Sequence, residues 1–246
     1  MTTTVDKVAI VTGGSRGIGK AIALRLARDG FAVVIGYAGN QARADNTVDE
    51  IKAQGGRAIA VKGNVAEPGD VHALFSVAQE TFARIDAVVS NAGEMALAPI
   101  RDDSLAAFDR MMATNVRGTF LVLAKAAEIL PDGGRIVALS SSVIAKATPG
   151  YGPYIASKSA VEGLVHVLAN ELRGRKVTVN AVAPGPVGTE LFLKGKTEEQ
   201  ISILANMAPL QRLGEPDDIA NAVAFLLGTD GGWVNSQIVR VNGGFA

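Results

Sequence analysis

No cysteine occurs in the 246-residue chain, and histidine occurs only twice, at His72 and His166. The first absence removes a disulfide framework, a cysteine zinc site and a thiol nucleophile together, and it suits a reducing cytoplasmic setting. Two histidines far apart in sequence do not make a metal site, so no metal is expected. Net charge is missing too: 24 basic residues balance 24 acidic ones, which argues against nucleic acid or an anionic membrane as the main partner. No uncharged apolar run reaches the ~18–20 residues of a membrane span. The opening MTTTVDKVAIVTGG lacks a basic segment followed by a long apolar stretch and a cleavage site, so it does not read as a signal peptide. Linkers, repeats and low-complexity tracts are absent. What remains reads as a soluble globular chain, 48% hydrophobic, of a length suited to one α/β domain spanning 1–246.

What the chain does have is rhythm. Short Val- and Ile-rich runs lie at 7–13 (KVAIVTG), 31–37 (FAVVIGY), 57–65 (RAIAVKGNV), 86–93 (DAVVSNAG), 135–141 (RIVALSS), 176–184 (KVTVNAVAP) and 236–244 (SQIVRVNGG). Between them, apolar residues recur every three or four positions, as in the stripe Ile155, Val161, Leu164, Val165, Leu168 and Leu172. Continuous apolarity in the short runs, rather than strict alternation, marks strands covered on both faces. The pattern predicts a doubly wound, Rossmann-type α/β fold, with a seven-stranded parallel sheet and helices on both faces. One stretch breaks the rhythm. Residues 188–210 follow the sixth run with charges, small residues and two predicted short helices. Ligands bind beyond the carboxyl ends of strands in such sheets, so this insertion reads as a substrate lid; an ordinary surface excursion is the alternative.

The first run leads into VTGGSRGIGKAIA (11–23), which puts Gly13, Ser15, Arg16, Gly17, Ile18 and Gly19 between a strand and a helix. Glycine there permits positive φ and lets the backbone approach a pyrophosphate, which then sits on the helix N-terminus. Any tight strand–helix connection favours glycine, but three at G-x-x-x-G-x-G spacing in the first such turn point to phosphate cradling. A chain that binds NAD commonly carries a carboxylate at the end of the second strand for the ribose 2′-hydroxyl. Here Tyr37 holds that place, and no acid follows until Asp45. Arg16 offers a planar cation suited to a 2′-phosphate. Both features favour NADP(H) over NAD(H), against the plainer reading of Arg16 as a solvated loop residue.

Further on, SSSVIAKATPGYGPYIASK spans 140–158. Tyr154 and Lys158 are four apart and share one helical face. Tyr151 has Ile155 at that distance and cannot take the same part. Alone, such a pair is most often a surface pair, Asn115 in TNVRG a cap or kink, and the serines turn residues. Together with TGGSRGIG (12–19), SNAG (90–93) and PGPVGT (184–189), in this order over nearly the whole chain, they resemble the classical short-chain dehydrogenase/reductase family. Within it the chain is most similar to the 3-oxoacyl-carrier-protein-reductase-like branch.

The resemblance implies hydride transfer between a nicotinamide and a carbonyl or secondary-alcohol carbon. It implies Tyr154 as general acid for reduction and base for oxidation, with Lys158 lowering the phenol from its ordinary pKa of about 10 and holding the nicotinamide ribose. It implies Asn115 as holder of a water linking the lysine to solvent, and a serine that polarises the substrate oxygen. Counting back thirteen positions from Tyr154, and forward six from Arg135, both give Ser141 in the family's spacing; Ser142 stays open as the alternative. Implied cofactor contacts are Asn64 and Val65, where the family more often has Asp-Val; Asn91, Ala92 and Gly93, where Ser90 replaces a frequent asparagine; and Pro184, Gly185, Val187 and Thr189. Glu94, Met95, Ser142, Val143, Tyr151 and Pro186 read as substrate wall. Leu191, Phe192, Leu193 and Ile201 in the lid suit a hydrophobic ketone or 3-oxoacyl substrate. Apolar helices around 104–130 and 151–173 match those through which the family usually forms homotetramers. A redox-sensing regulator without turnover is the rival class; such proteins lose the tyrosine or the lysine, and both are kept here.

Overall fold

Each of the seven apolar runs contains one strand in the computed structural model, which describes residues 7–246. The expected domain limits and the reading of the N-terminus extend to residues 1–6, which lie outside the described residues. The first half of the chain runs β1 (Val8–Thr12), α1 (Gly17–Arg28), β2 (Ala32–Tyr37), α2 (Gln41–Ala53), β3 (Ala58–Lys62), α3 (Pro68–Phe82) and β4 (Ala87–Ser90). The second half runs α4 (Leu105–Met111), α5 (Gly118–Ile129), β5 (Arg135–Leu139), α6 (Gly152–Glu171), β6 (Thr178–Pro184), α7 (Glu190–Leu193), α8 (Glu198–Asn206), α9 (Pro216–Leu227) and β7 (Ile238–Val241). Every pairing is parallel, in the order β3-β2-β1-β4-β5-β6-β7.

The central runs are largely apolar because the sheet buries both of their faces, whereas the edge strands β3 and β7 are only partly buried. In β1, Val8 and Ile10 pack with residues of α3, α5 and α6, such as Phe75, Val122 and Val161. Ala9 and Val11 point the other way, toward α1, α2 and α9, against Ile22, Ile51 and Val223. Each buried Val, Leu or Ile contributes roughly 1.5–3 kcal/mol over leaving it exposed. The helical stripe of 155–172 behaves as expected, with Val161, Val165 and Leu168 buried along α6.

The strands are shorter than the runs that contain them. Pairing of β4 with β5 stops at Ser90↔Ala138; Ser140 N still donates to Val182 O of β6 at 2.8 Å, and Asn91–Gly93 and Ser140–Ser141 border the crevice at the sheet's carboxyl rim. Strand order reverses at β1, which lies between β2 and β4, so the connecting segments part there and leave a crevice above the strand ends. The 188–210 insertion carries α7 and α8, and its Leu191, Phe192, Leu204 and Met207 border that crevice.

Candidate active site

Thr12, at the end of β1, is fully buried, and its hydroxyl donates to Val89 O at 3.4 Å. The same oxygen accepts from Asn91 N and Ala92 N, each at 3.0 Å. Asn91 Nδ2 returns to Thr12 O at 2.8 Å and Gly13 O at 3.2 Å. The ends of β1 and β4 are thereby clasped side by side. Gly13 and Gly17 take φ of +66° and +53°, a region that a Cβ resists. A Cβ on Gly19 would collide with Gly13 O and Asn91 Nδ2, so the bare loop runs directly over the start of α1. The first amides of a helix have no partner within it. The result is a cradle for an anion, and it fits the pyrophosphate expected from the sequence.

At the far end of the crevice, β2 ends in the largely buried Tyr37. Asn40 caps α2 by accepting from Arg43 N at 3.0 Å. Arg43 and Arg16 both border the crevice, and both meet the carboxylate of Glu190, at 2.6 Å and 3.7 Å. Asn64 borders it too, but its side-chain oxygen accepts from Ala66 N at 3.1 Å and so stabilises its own turn. On the opposite wall a Cβ on Gly185 would lie 2.8 Å from Asn242 Cα, which leaves that close approach to glycine.

Between α4 and α5 the chain makes a π-helical turn at Met112–Arg117, a bulge that is frequent at functional sites. Asn115 lies in it, fully buried. Its Oδ1 accepts from Glu94 N at 2.9 Å, and its Nδ2 donates to Glu94 O at 2.9 Å and to Ser157 Oγ at 3.0 Å. The chain at Gly93–Glu94 is thus pinned to α6. Tyr154 and Lys158 leave α6 one turn apart. Lys158 Nζ, buried, donates to Leu139 O at 2.7 Å and stands 5.9 Å from the Tyr154 ring centre. Tyr151 meets the Tyr154 ring edge to face, with centres 6.4 Å apart.

The three serines separate by partner. Ser140 Oγ donates to Glu162 Oε1 on α6 at 2.6 Å. Ser142, 1% exposed, donates to Ala183 O at 2.8 Å and accepts from Asn242 Nδ2 at 3.0 Å. That tie to β6 and the C-terminal segment takes Ser142 off the crevice wall, which corrects its reading as a substrate contact or alternate catalytic serine. Ser141 faces the crevice beside Tyr154.

Electrostatics here differ from the expectation that Lys158 lowers the phenol. Burial is the largest influence on Tyr154 and pushes it up to about 12; Ser141's hydroxyl lowers it and Tyr151 raises it. The ammonium is directed at Leu139 O, on the strand side of α6. Burial likewise pushes Lys158 down from 10.5 to about 8. Between those values the unfolded chain holds a proton that the folded chain has released, so stability rises with pH across this window. The cost of burying the charge is fully present below it. Urea denaturation at about pH 8 and about pH 10 is expected to show wild type gaining about 2 kcal/mol relative to Lys158→Met. Equal pH dependence of the two proteins would mean that Lys158 titrates normally.

Of the residues singled out from the sequence as site candidates, all but Asn115 and Ser142 border one continuous cleft of about 1130 Å³. Asn115 lies behind it. In the insertion, Leu191 and Phe192 reach the cleft, whereas Leu193 and Ile201 do not and Leu204 and Met207 do. Sequence reasoning missed Thr12, Arg43 and Phe245. Phe245, next to the last residue, is 7% exposed on the cleft wall, with Lys146 Nζ 4.9 Å from its ring centre. No periodicity announces such a residue; Arg43 had a signal, as a cation just beyond a β2 end that lacks an acid.

Comparison with known proteins covers nearly the whole chain. A family model described as "Enoyl-(Acyl carrier protein) reductase" matches residues 13–246. A "Short-chain type dehydrogenase/reductase" of Picea abies is 45% identical over 251 residues, covering 97% of this chain and 92% of its own. An Arabidopsis thaliana "NADPH-dependent aldehyde reductase-like protein, chloroplastic" is 44% identical over 253 residues, covering 97% and 94%. A solved short-chain dehydrogenase from Burkholderia cenocepacia, in complex with NADP, superposes with a TM-score of 0.91 at 37% identity, covering 97% of both chains.

Proposed function

The chain belongs to the short-chain dehydrogenase/reductase family, and we propose that it is an NADP(H)-dependent reductase of a hydrophobic ketone or 3-oxoacyl compound, with Tyr154 as general acid. The observation that carries this reading is the meeting of Ser141, Tyr154 and Lys158 with the glycine loop on one cleft. The Gly13–Gly19 loop would hold the pyrophosphate and Arg16 the 2′-phosphate. Asn91–Gly93, Lys158 and Pro184–Thr189 would hold the nicotinamide half. When bound, the cofactor supplies the hydride to the carbonyl carbon, or accepts it in the reverse direction.

The chain's own residues handle the oxygen and the proton. Ser141's hydroxyl donates a hydrogen bond to the carbonyl oxygen and makes the carbon more electrophilic. The O–H bond of Tyr154 breaks as its proton passes to that oxygen. A phenol held near about 12 is protonated at neutral pH, which supports the reductive direction. Lys158, held by Leu139 O, would hold the nicotinamide ribose beside the phenol, and Asn115 keeps the Gly93–Glu94 chain in place next to it. Met95, Val143, Tyr151, Leu204 and Phe245 on the wall support an apolar substrate. The exposed Phe108, Phe120 and Val167 support closure into a homotetramer, and the absence of cysteine supports a cytoplasmic setting.

The test is cofactor absorbance during turnover of a panel of aryl and alkyl ketones, aldehydes and acyl thioesters. NADPH is expected to exceed NADH in kcat/KM by about 10-fold or more, the value of one charge-assisted contact to the 2′-phosphate. Equal or better use of NADH would overturn the cofactor assignment, and no turnover across the panel would overturn the substrate class.

A further inference from the structure

Three residues from separate parts of the chain converge at the adenosine end of the cleft. Arg16 belongs to the glycine loop, Arg43 to the first turn of α2, and Glu190 heads α7 directly after Thr189. Arg43 grips the Glu190 carboxylate with both terminal nitrogens, at 2.6 Å and 3.4 Å. Arg16 approaches the same carboxylate at 3.7 Å. Two guanidinium groups around one planar anion form the arrangement that binds a phosphate monoester.

The charges do not balance as they stand. Two arginines carry two positive charges and Glu190 returns one, whereas a phosphate monoester near neutral pH returns almost two. The side chains of Arg16, Arg43 and Glu190 are 55%, 42% and 60% exposed, and ion pairs in such settings contribute little to folding. A dianion can therefore displace the carboxylate at small cost. Arg43 beside it, and Arg16 and Lys194 further off, hold the Glu190 carboxyl below the usual carboxylate range, so it stays an anionic competitor.

We propose that Arg43 is the second cation of the 2′-phosphate site and that Glu190 is the site's internal competitor, released when the phosphate binds between Arg16 and Arg43. The proposal rests on the reading of the cleft as a dinucleotide site and deepens it. Glu190 is covalently continuous with Thr189 and the lid, so the exchange is felt at the entrance of the substrate pocket only when the cofactor carries the 2′-phosphate. A dinucleotide without that phosphate leaves the Arg43–Glu190 pair closed.

The test needs no turnover. Isothermal titration at constant low salt measures the affinity of 2′,5′-ADP relative to 5′-AMP, which differ only in the 2′-phosphate. Wild type is expected to favour 2′,5′-ADP. Arg43→Gln should shrink that ratio by about 10-fold or more, and Glu190→Gln should widen it by about 3-fold or more. The opposite signs exclude a general loss of fold. A ratio unchanged in Arg43→Gln, or unchanged or reduced in Glu190→Gln, overturns the inference while leaving the dinucleotide reading intact. Wild-type protein that binds neither ligand, nor NADPH, overturns that reading and this inference with it.

Discussion

Tyr154→Phe is expected to lower kcat for carbonyl reduction by on the order of 10²–10⁴, with NADPH affinity unchanged within about 2-fold. The substitution removes one oxygen and leaves the ring. Its edge-to-face packing on Tyr151 survives, as do the bond from Lys158 to Leu139 O and the pinning of Glu94 by Asn115. The lost group is the only one proposed to carry the proton. Tyr151 cannot replace it from a ring centre 6.4 Å away without unpacking the first turn of α6. Steady-state kinetics with a titration of NADPH fluorescence separate the two quantities. Activity within about 10-fold of wild type would reject general acid catalysis by this phenol. Loss of NADPH binding in parallel would show that Tyr154 supports the cofactor instead.

The central strands were legible because both of their faces are buried, which makes their runs largely apolar; the edge strands β3 and β7 are only partly buried, and β7 carries the exposed Arg240. Strand ends were not legible, since the apolar runs continue without a break into Asn91–Gly93 and Ser140–Ser141, whereas the β4–β5 pairing stops at Ser90↔Ala138. That Tyr154 and Lys158 share one helical face followed from spacing, and their place beside the cleft from the motifs that accompany them. The pair's electrostatics did not: which way Lys158 Nζ turns depends on Leu139 O, presented by a strand 19 residues earlier. The serines show the same limit. Residue type cannot distinguish three adjacent hydroxyls; only the structure shows Ser140 bonded to Glu162 and Ser142 to Ala183, with Ser141 beside Tyr154 on the cleft. Arg43 was passed over although it is a cation just beyond a β2 end without an acid; its partner Glu190, 147 residues away, is beyond the reach of any local pattern.

The glycine loop makes the second large prediction: Gly19→Ala should weaken NADPH binding by about 100-fold or more and destabilise the fold by about 1–3 kcal/mol. Helix propensity alone says the opposite, since Ala is better than Gly inside a helix by roughly 1 kcal/mol. Local packing decides the sign. The new methyl would sit 2.9 Å from the Gly13 carbonyl carbon and closer still to its oxygen and to Asn91 Nδ2. Backbone cannot rotate aside as a side chain can, so the loop must lift from α1. The amide of Asn91 would then lose Thr12 O and Gly13 O, which hold β1 and β4 together under the cleft. Gly69→Ala supplies the comparison, because nothing lies within 4 Å of its added carbon in the first turn of α3. That variant should be neutral or slightly stabilised in urea and should bind NADPH normally. If Gly19→Ala matched it in both respects, the loop would have room to spare, and the close backbone approach assigned to a pyrophosphate would have no steric basis.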